Sequence, residues 1–497
     1  MKHTARLRVL VLALALLLVL PLVACGNDTP NTPDTPDQPS DPSTPDTPTD
    51  PEEPEEPQTA QSVLYDIPMQ SFASNFEFLV AAASNYSNTL YIDQFTNDDD
   101  INGDTVHDAL FARDKMIEEY FGIDIYYDDI ADGAIFSKVS NPIRSGDDIY
   151  SLVLGGINTP ALPLFENDLL YDLNTVDTID LTQPWWNKNS VDAFTINDHI
   201  YMATGAITNR VVFAPYGMLV NFRLREAAGI SDPYEMVKNS TWTLENFEAM
   251  IIGTSVQLNG DDQWDVGDFY GLAPSQDSET AWFFAAGGRM VEKSPSGELW
   301  AVYEEEENYD LISWITDMYE GDDVMKYVAL YDSSNAFRES RAIFHSTALC
   351  DITRLNDMED KYGFLPMPKL DESQEEYYSN TNRFINTMAL LPTSVQEPEK
   401  IGAVIEALAA VSQFTSLDKQ YDTVLLNRRA VDADSKENLK IIVESSLYDM
   451  GYVLNPANIS YQIRDAIYKN FELGSVFASL RDPVEAALEE YASRFAD

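Results

Sequence analysis

A proline at every third position sets where folding of this chain can begin. Ten prolines recur from Pro30 to Pro57, separated only by Asp, Thr, Ser, Glu, Asn and Gln. Polyproline II has three residues per turn, so all ten can line one edge of an extended helix of roughly 85 Å. Residues 25–60 hold ten acidic residues and no basic one. With no apolar residue in the proline repeat to nucleate a core, residues 25–60 are predicted to form an extended, unfolded stalk.

The first 24 residues predict a secretory signal peptide. Basic residues at positions 2, 6 and 8 precede an apolar run, Val9–Leu20, and small residues follow it. The run is too short for a stable membrane span, and no second one appears. Leu22–Cys25 resembles a bacterial lipobox, in which cleavage leaves the cysteine as an acylated N-terminus. An ordinary signal peptide that happens to contain a cysteine is the alternative. We therefore predict lipidation of Cys25, a lipid anchor as the only membrane contact, and a location on the extracellular face of the cell membrane.

The remaining body, residues 61–497, is long and strongly acidic. It carries 28 basic and 73 acidic residues, a net charge of −45. Its length exceeds a single core and predicts two lobes of α/β size. Such an acidic surface argues against nucleic acid and against docking on anionic lipid. Once Cys25 is acylated, Cys350 is the only thiol, so no disulfide can form within the chain, and a structural zinc site lacks ligands.

Strand-like and helix-like segments alternate along the body. The first strand is predicted at Leu90–Ile92, and Asp108–Phe121 has the pattern of an amphipathic helix. Ile149–Leu154 is a buried strand that runs into two glycines. Ala342–Phe344 is a strand after which Ser346 is placed to cap the next helix. Alternation of this kind predicts mostly parallel sheets covered by helices.

No catalytic motif stands out in the body. It lacks a Gly-x-Ser-x-Gly elbow, a His-Glu-x-x-His pair, a Walker loop and a dinucleotide glycine fingerprint. Carboxylates are so abundant that any pair at glycosidase spacing carries no information. The sequence therefore predicts a protein that is not an enzyme.

Several blocks, taken in order, resemble one protein family. The clearest is Leu219–Arg223 followed by Ala228-Gly229 and Trp242-Thr243. It is similar to a family pattern of apolar strand, Asn, helix ending in Ala-Gly-Leu, then Pro and Trp-Thr. The family is that of carbohydrate-type, family 1-like extracellular solute-binding proteins of ABC importers. The other blocks are Asn102–Arg113, Gly146–Val153, Pro184–Asn187, Ile196–Tyr201, Gly363–Lys369 and Leu447–Tyr452. The last of these, Leu447–Tyr452, is similar to a motif of a clostridial branch of the family.

The resemblance implies a type 2 periplasmic-binding-protein fold, with two α/β lobes, a hinge and an interlobe cleft for the ligand. Lobe 1 is expected at about 86–208 and 382–430, and lobe 2 at about 209–381 and 431–497. It further implies a monomer, without a cofactor, that captures a sugar or oligosaccharide and delivers it to ABC permease subunits. Two alternatives stay open: an anchored binding protein for a peptide or other small solute, and a surface enzyme acting on polysaccharide.

Sugar sites combine aromatic platforms with polar side chains, and the resemblance suggests where to look. Trp282 and Phe283 precede Ala-Ala-Gly-Gly, where the family often places a stacking aromatic; the alternative for Trp282 is the core. Trp185 and Trp186 are adjacent, so only one is expected to face a given direction. A lone histidine is more often structural than a ligand contact. The candidate contacts, several of them at strand ends where open α/β sheets bind ligands, are Trp282, Phe283, Trp185, Trp186, Asn158, His345, Ser346, Asn380 and Asn382.

Two acidic loops resemble calcium-binding loops. The loop from Asp98 has the first half of an EF-hand, but Ala109 stands where the bidentate carboxylate belongs. An Asx-rich turn is therefore the better interpretation there. The loop 257–268 keeps more of the pattern, although Gln257 replaces the first Asp and Asp262 replaces the turn glycine. Its candidate calcium ligands are Asn259, Asp261, Asp265 and Asp268.

Overall fold

In the computed structural model, the described residues are 57–87, 90–98, 100–261, 263–426, 433–469 and 471–495. They belong to one unit, Pro57–Asp497. The predicted signal peptide, the lipidation site Cys25 and the predicted stalk up to residue 56 lie outside the described residues, so these remain predictions.

The strands and helices alternate through the body. The strands, in chain order, are β1 (Glu77–Ala83), β2 (Tyr86–Ser87), β3 (Leu90–Tyr91), β4 (Asp124–Ile130), β5 (Leu152–Gly156), β6 (Tyr216–Asn221), β7 (Tyr270–Pro274), β8 (Val291–Lys293), β9 (Leu299–Ala301), β10 (Ala342–Ala348), β11 (Tyr362–Leu365), β12 (Ser379–Asn380), β13 (Thr387–Leu390) and β14 (Ser446–Leu447).

Helices pack against strands of both four-stranded sheets. In chain order they are α1 (Ala60–Asp66), α2 (Thr105–Phe121), α3 (Ile135–Ser145), α4 (Ala161–Glu166), α5 (Lys188–Phe194), α6 (Phe222–Ala227), α7 (Pro233–Lys238), α8 (Leu244–Ile251), α9 (Ser278–Ala285), α10 (Glu306–Glu320), α11 (Asp332–Arg338), α12 (Pro398–Gln413), α13 (Ser416–Leu426), α14 (Ala433–Glu444), α15 (Met450–Leu454), α16 (Ile459–Lys469) and α17 (Leu473–Ser493).

Two four-stranded sheets organise the body, one in each lobe. The first has the order β13-β5-β1-β4, and the second has the order β11-β6-β10-β7. In the first sheet β1 is parallel to β4 and β5, whereas β13 is antiparallel to β5. In the second, β10 is parallel to β7, but β6 is antiparallel to both β10 and β11.

The sheets are therefore mixed, which corrects the expectation of mostly parallel sheets. The strands β6 and β13 each enter their sheet from the other lobe. A helical crossover within one lobe returns the chain in the same direction and so produces a parallel pair. A strand that arrives from the other lobe is free of that constraint, and in this protein both such strands pair antiparallel.

The central strand of the first sheet lies earlier than the sequence suggested. The strand β1 pairs on both sides yet precedes residue 86, where the first lobe was expected to start. The predicted first strand at Leu90–Ile92 forms only the short β3. Three alanines close β1 where β-branched residues would mark a strand, so its local signal is weak.

Capping residues predicted the ends of helices more accurately than side-chain patterns predicted β1. The predicted helix Asp108–Phe121 is confirmed as α2, which starts three residues earlier because the Asp104 side chain accepts from the backbone N–H groups of Val106 and His107. Gly122 ends it with φ at 68°, a left-handed conformation that favours glycine.

The predicted helix cap at Ser346 is wrong. The strand β10 continues to Ala348, since it pairs with β6 as far as Tyr216. Ser346 therefore lies inside the strand, and a 3₁₀ helix, Leu349–Leu355, follows.

The segment Pro398–Thr423 is apolar and long enough to cross a membrane, but 78% of its most apolar window is buried inside the molecule. It packs against α1 and α2. That is the position of a core helix.

Candidate functional site

The predicted platform, Trp282 and Phe283, lies in the core of the second lobe. Both side chains are 0% exposed in α9. The indole Nε1 of Trp282 donates to Ser346 Oγ at 3.3 Å, and its ring centroid lies 5.0 Å from that of Phe247. A fully buried ring presents no face to a ligand. This placement agrees with the alternative that the sequence left open, that Trp282 belongs to the core.

The adjacency of Trp185 and Trp186 suggested that the two side chains face different directions. Instead, both indole rings reach the same side chain, Glu406. Their indole N–H groups donate to the two carboxylate oxygens of Glu406, at 2.8 and 2.9 Å. The backbone packs tightly here, because an ideal Cβ on Gly205 would lie 2.2 Å from the Trp185 carbonyl oxygen. Burial raises the pKa of Glu406 to about 7, and the two indole donors act against that rise. Both tryptophans are buried and serve this carboxylate.

His345 and Ser346 are also interior residues. Both are 0% exposed within β10. His345 Nδ1 lies 2.6 Å from the Ala273 carbonyl oxygen, and its ring stacks on Phe337. Burial lowers the pKa of His345, so the neutral ring is favoured. The arrangement is that of a structural histidine.

The segment 381–386, which joins β12 to β13, is called here the second crossing. Of the three candidate asparagines, Asn382 belongs to it and the other two lie beside it. Asn158 is exposed after β5, and its backbone N–H donates to the Arg383 carbonyl oxygen at 3.2 Å. Asn382 is half-buried, and its Nδ2 donates to the Tyr216 hydroxyl at 3.4 Å. Asn380 is buried in β12. Of the nine candidates, Asn158 alone is exposed, and it is at a strand end.

The predicted calcium loop is held by hydrogen bonds within itself. Asn259 Nδ2 donates to carboxylate oxygens of Asp261 and Asp265, at 3.0 and 3.4 Å. The buried Asp268 carboxylate accepts from the backbone N–H groups of Leu258 and Asp265. In the described part of the chain, to which Asp262 does not belong, no three His, Cys, Asp or Glu side chains converge as metal ligands. Calcium binding stays a prediction.

The two lobes are joined by segments that run side by side. The first crossing, residues 207–215, pairs with the second crossing through Pro215 and Thr381. The backbone N–H of Asn382 donates to the Ala214 carbonyl oxygen at 2.8 Å. Carboxyl ends of strands from both lobes lie next to these crossings, which is where open α/β sheets bind ligands.

A narrow recess lies where the second crossing meets the second lobe. Phe384, on the crossing, is 40% exposed, and its carbonyl oxygen would lie 3.2 Å from an ideal Cβ on Gly156, at the end of β5. Asp277 follows β7, at the corresponding strand end of the other lobe. The recess encloses only about 10 Å³ and is lined by Asp277, Thr280, Arg383, Phe384, Tyr452, Ser460 and Tyr461.

Charged groups and aromatic rings alternate around this recess. Arg464 Nη1 donates to Asp277 Oδ1 at 2.8 Å, and its guanidinium lies 4.9 Å from the Tyr461 ring centroid. The Arg383 guanidinium lies 5.2–5.3 Å from the ring centroids of Phe384, Tyr452 and Tyr461. These groups suit a polar ligand with flat apolar faces.

The first crossing carries another buried arginine. Arg210 is 1% exposed in the 3₁₀ helix Asn209–Val212. Its Nη2 donates to the Ser84 carbonyl oxygen, just after β1, and its Nη1 lies 3.8 Å from Asp132, just after β4. Burial lowers the pKa of Arg210.

Sequence reasoning missed Arg383, Phe384, Tyr461 and Arg210. The sequence predicted that Asn382 lies near the second crossing, and the next two residues, Arg383 and Phe384, could have been predicted there on the same ground. Tyr461 and Arg210 had no local signal, since they reach the recess and the strand ends only through tertiary packing.

A scan of protein-family models finds no match to the sequence, and neither does a search of curated proteins. Solved structures do resemble it. The cyclic α-maltosyl-1,6-maltose binding protein from Arthrobacter globiformis has a TM-score of 0.55 at 14% identity, over 84% of this chain and 100% of that one. UspC from M. tuberculosis has a TM-score of 0.54 at 12% identity, over 82% and 100%.

An ABC substrate-binding protein from Listeria monocytogenes, in complex with cycloalternan, has a TM-score of 0.51 at 13% identity, over 85% of this chain and 98% of that one. The Arthrobacter and Listeria proteins are binding proteins rather than enzymes. At such identities the likeness concerns the fold. The predicted two-lobed α/β fold of ABC-importer solute-binding proteins is confirmed for this chain.

Proposed function

We propose that this protein captures a carbohydrate between its two lobes and delivers it to an ABC permease. The observation that carries the proposal is the recess at the strand ends, where the exposed Phe384 and the half-buried Tyr461 flank Asp277, whose carboxylate accepts a hydrogen bond from Arg464. Sugar rings offer flat CH faces to aromatic side chains and hydroxyl groups to charged ones. Fold neighbours that bind cyclic maltosyl-maltose and cycloalternan support the same ligand class.

Ligand entry requires the lobes to separate. A recess of about 10 Å³ is far below the roughly 300 Å³ of the smallest ordinary ligand pockets. A sugar that touches Phe384 on one side and Asp277 on the other would bridge both lobes. Such a ligand favours the closed arrangement of the lobes. A permease that docks on the closed form would then respond only to the loaded protein.

The N-terminal region supports the same function. An acylated Cys25 would hold the protein on the extracellular face of the membrane. A stiff acidic stalk ahead of α1, which begins at Ala60, would carry the body away from that surface. Import delivers its cargo unchanged, so the proposal includes no catalysis.

A thermal-shift screen of mono- and oligosaccharides tests this function. A ligand at 100 times its dissociation constant adds about 2.7 kcal/mol to the free energy of unfolding, so a true ligand should raise the melting temperature. Stabilisation by peptides and by no saccharide would favour the alternative of a peptide-binding protein. Release of shortened glycans during the assay would favour the enzyme.

Two matched variants locate the site. Phe384→Ala should weaken binding of the identified saccharide by about 2 kcal/mol, the usual cost of losing an aromatic anchor. Trp300→Ala removes an equally exposed ring, 41% against 40%, on the hairpin of β8 and β9. It should leave binding unchanged. Equal loss in both variants, or none in Phe384→Ala, would remove the recess from the site.

A further inference from the structure

Arg383 is a buried cation whose charge the fold does not neutralise. Its side chain is 3% exposed and borders the recess. Its Nη1 donates to the Tyr452 carbonyl oxygen at 2.7 Å, while its Nε has no hydrogen-bond partner. In the described parts of the chain, no carboxylate forms an ion pair with it; Asp277, the one acid lining the recess, pairs with Arg464.

Leaving a guanidinium in this state is costly. A buried charge that has left water normally needs an opposite charge and a full set of hydrogen bonds. The rings of Phe384, Tyr452 and Tyr461 offset part of that cost through their π faces. They supply no acceptor for Nε. The recess therefore has an unused donor on a positive group.

Arg210, on the first crossing, is also a buried arginine, but it has an ion-pair partner in Asp132. Its Nε and Nη1 have no hydrogen-bond partner, and its distance of 3.8 Å from Asp132 is longer than a hydrogen bond. Each of the two paired crossings thus carries a buried, incompletely bonded arginine. This occurs in a chain whose formal net charge is −52.

The guanidinium of Arg383, which has no ion-pair partner among the described residues and borders the recess, indicates the charge of the ligand. Planar guanidinium groups bind carboxylate and sulfate oxygens through paired N–H donors. A neutral sugar would supply hydroxyl oxygens but no compensating charge. An acidic sugar would supply both.

We propose that the cleft selects an acidic carbohydrate, one bearing a carboxylate or a sulfate ester, and that Arg383 receives the acidic group. This inference rests on the proposed function and narrows its substrate class. It commits to an acidic glycan rather than to cycloalternan or cyclic maltosyl-maltose, the ligands of two fold neighbours.

The test is calorimetry on the full chain with paired probes. Digalacturonate is compared with digalactose, a glucuronate-containing disaccharide with its all-glucose counterpart, and a sulfated disaccharide with its unsulfated parent. In at least one pair the acidic member should bind ten-fold or more tightly than the neutral one. Neutral members that bind as well as or better than all acidic ones would overturn the inference and leave the proposed function standing. Binding of no saccharide of either kind would overturn both.

Variants assign the preference to the arginine. Arg383→Gln should reduce the acidic-to-neutral ratio to about one, and Arg383→Lys should retain part of it, since the charge remains without the planar fork. Arg481→Gln removes the same charge at an exposed ion pair with Glu304 and should keep the full ratio. An unchanged ratio in Arg383→Gln would contradict the assignment. If that variant does not fold, the ratio measured for the unmodified chain still decides the proposal.

Salt provides a further readout. The acidic surface should repel an acidic sugar at long range, so its association rate should rise with ionic strength as that repulsion is screened. The neutral partner should associate at a rate independent of salt. An acidic probe whose association slows as salt is added would contradict this arrangement.

Discussion

At the residue scale, Trp282 shows how a candidate binding residue becomes a core residue. Its neighbours Phe247 and Ser346 lie 35 positions before it and 64 after it in sequence, so no local pattern could reveal the enclosure. The same holds for Glu406, whose partners Trp185 and Trp186 lie more than 200 residues away.

Truncating Trp282 should damage stability rather than binding. Trp282→Ala is expected to lower the free energy of unfolding by about 3–5 kcal/mol, since a large cavity opens in a close-packed core. Denaturant unfolding of this variant, with the exposed Trp300→Ala as the control, measures the effect; the control should change it by less than about 0.5 kcal/mol. A fully stable Trp282→Ala that no longer binds sugar would restore the ligand-stacking hypothesis.

Glu406 should make stability fall as pH rises. Its folded pKa of about 7 lies above the ordinary value of 4.5, so between these values the folded state binds more protons than the unfolded state. The stability that the protonated group contributes is complete below pH 4.5 and is lost as pH rises to 7 and beyond. The slope should approach about 1.4 kcal/mol per pH unit at its steepest.

The comparison with Glu406→Gln isolates that effect. The unfolding free energy of the unmodified chain minus that of the variant should decrease across pH 4.5–7.5, because the amide does not titrate. A difference that stays flat over this range would show that the carboxyl group titrates normally.

At the element scale, α17 connects the lobes. Near its start, Phe477 packs on Tyr303 and Arg481 makes a two-point contact with Glu304, in the second lobe. At its end, Tyr491 packs against Phe165 of α4, with ring centroids 5.3 Å apart; α4 follows the first-lobe strand β5. The sequence analysis assigned the whole C-terminal segment to lobe 2, and the last turn of α17 rests on the other lobe.

Removing the first-lobe support should loosen only one end of α17. Phe165→Ala deletes a ring that contacts Tyr491, Phe495 and Tyr201. Hydrogen exchange should become faster at residues 484–495 and stay slow at residues 473–481. Uniform loss of protection along the helix would mean that α17 unfolds as one unit and that its two ends are not separately supported.

At the scale of the whole molecule, the anchor and the body are separable. If Cys25 is lipidated, Cys25→Ala should abolish acylation and release the body from the membrane or leave the precursor unprocessed. Fractionation of cells that express each form measures this. The ligand affinity of the released protein should match that of the anchored one. A Cys25→Ala protein that still partitions fully with membranes would contradict the lipoprotein assignment.

The sequence by itself predicted a two-lobed α/β body and the C-terminal end of helix α2 at Phe121. Chain length, hydrophobic alternation and capping residues can be read from the sequence, because each depends on neighbouring residues or on a sum over the chain. The same is true of the proline periodicity. The sequence could not identify the central strand β1, because alanines there pack well only between two partner strands.

Only the tertiary structure decided which side chains meet at the cleft. It buried Trp282, exposed Phe384 and placed the rings of Tyr452 and Tyr461 around Arg383. Those contacts join positions 69 and 78 residues apart. A local pattern records whether a residue is apolar or charged, whereas its burial and its partners follow from the packing of segments that are distant in the chain.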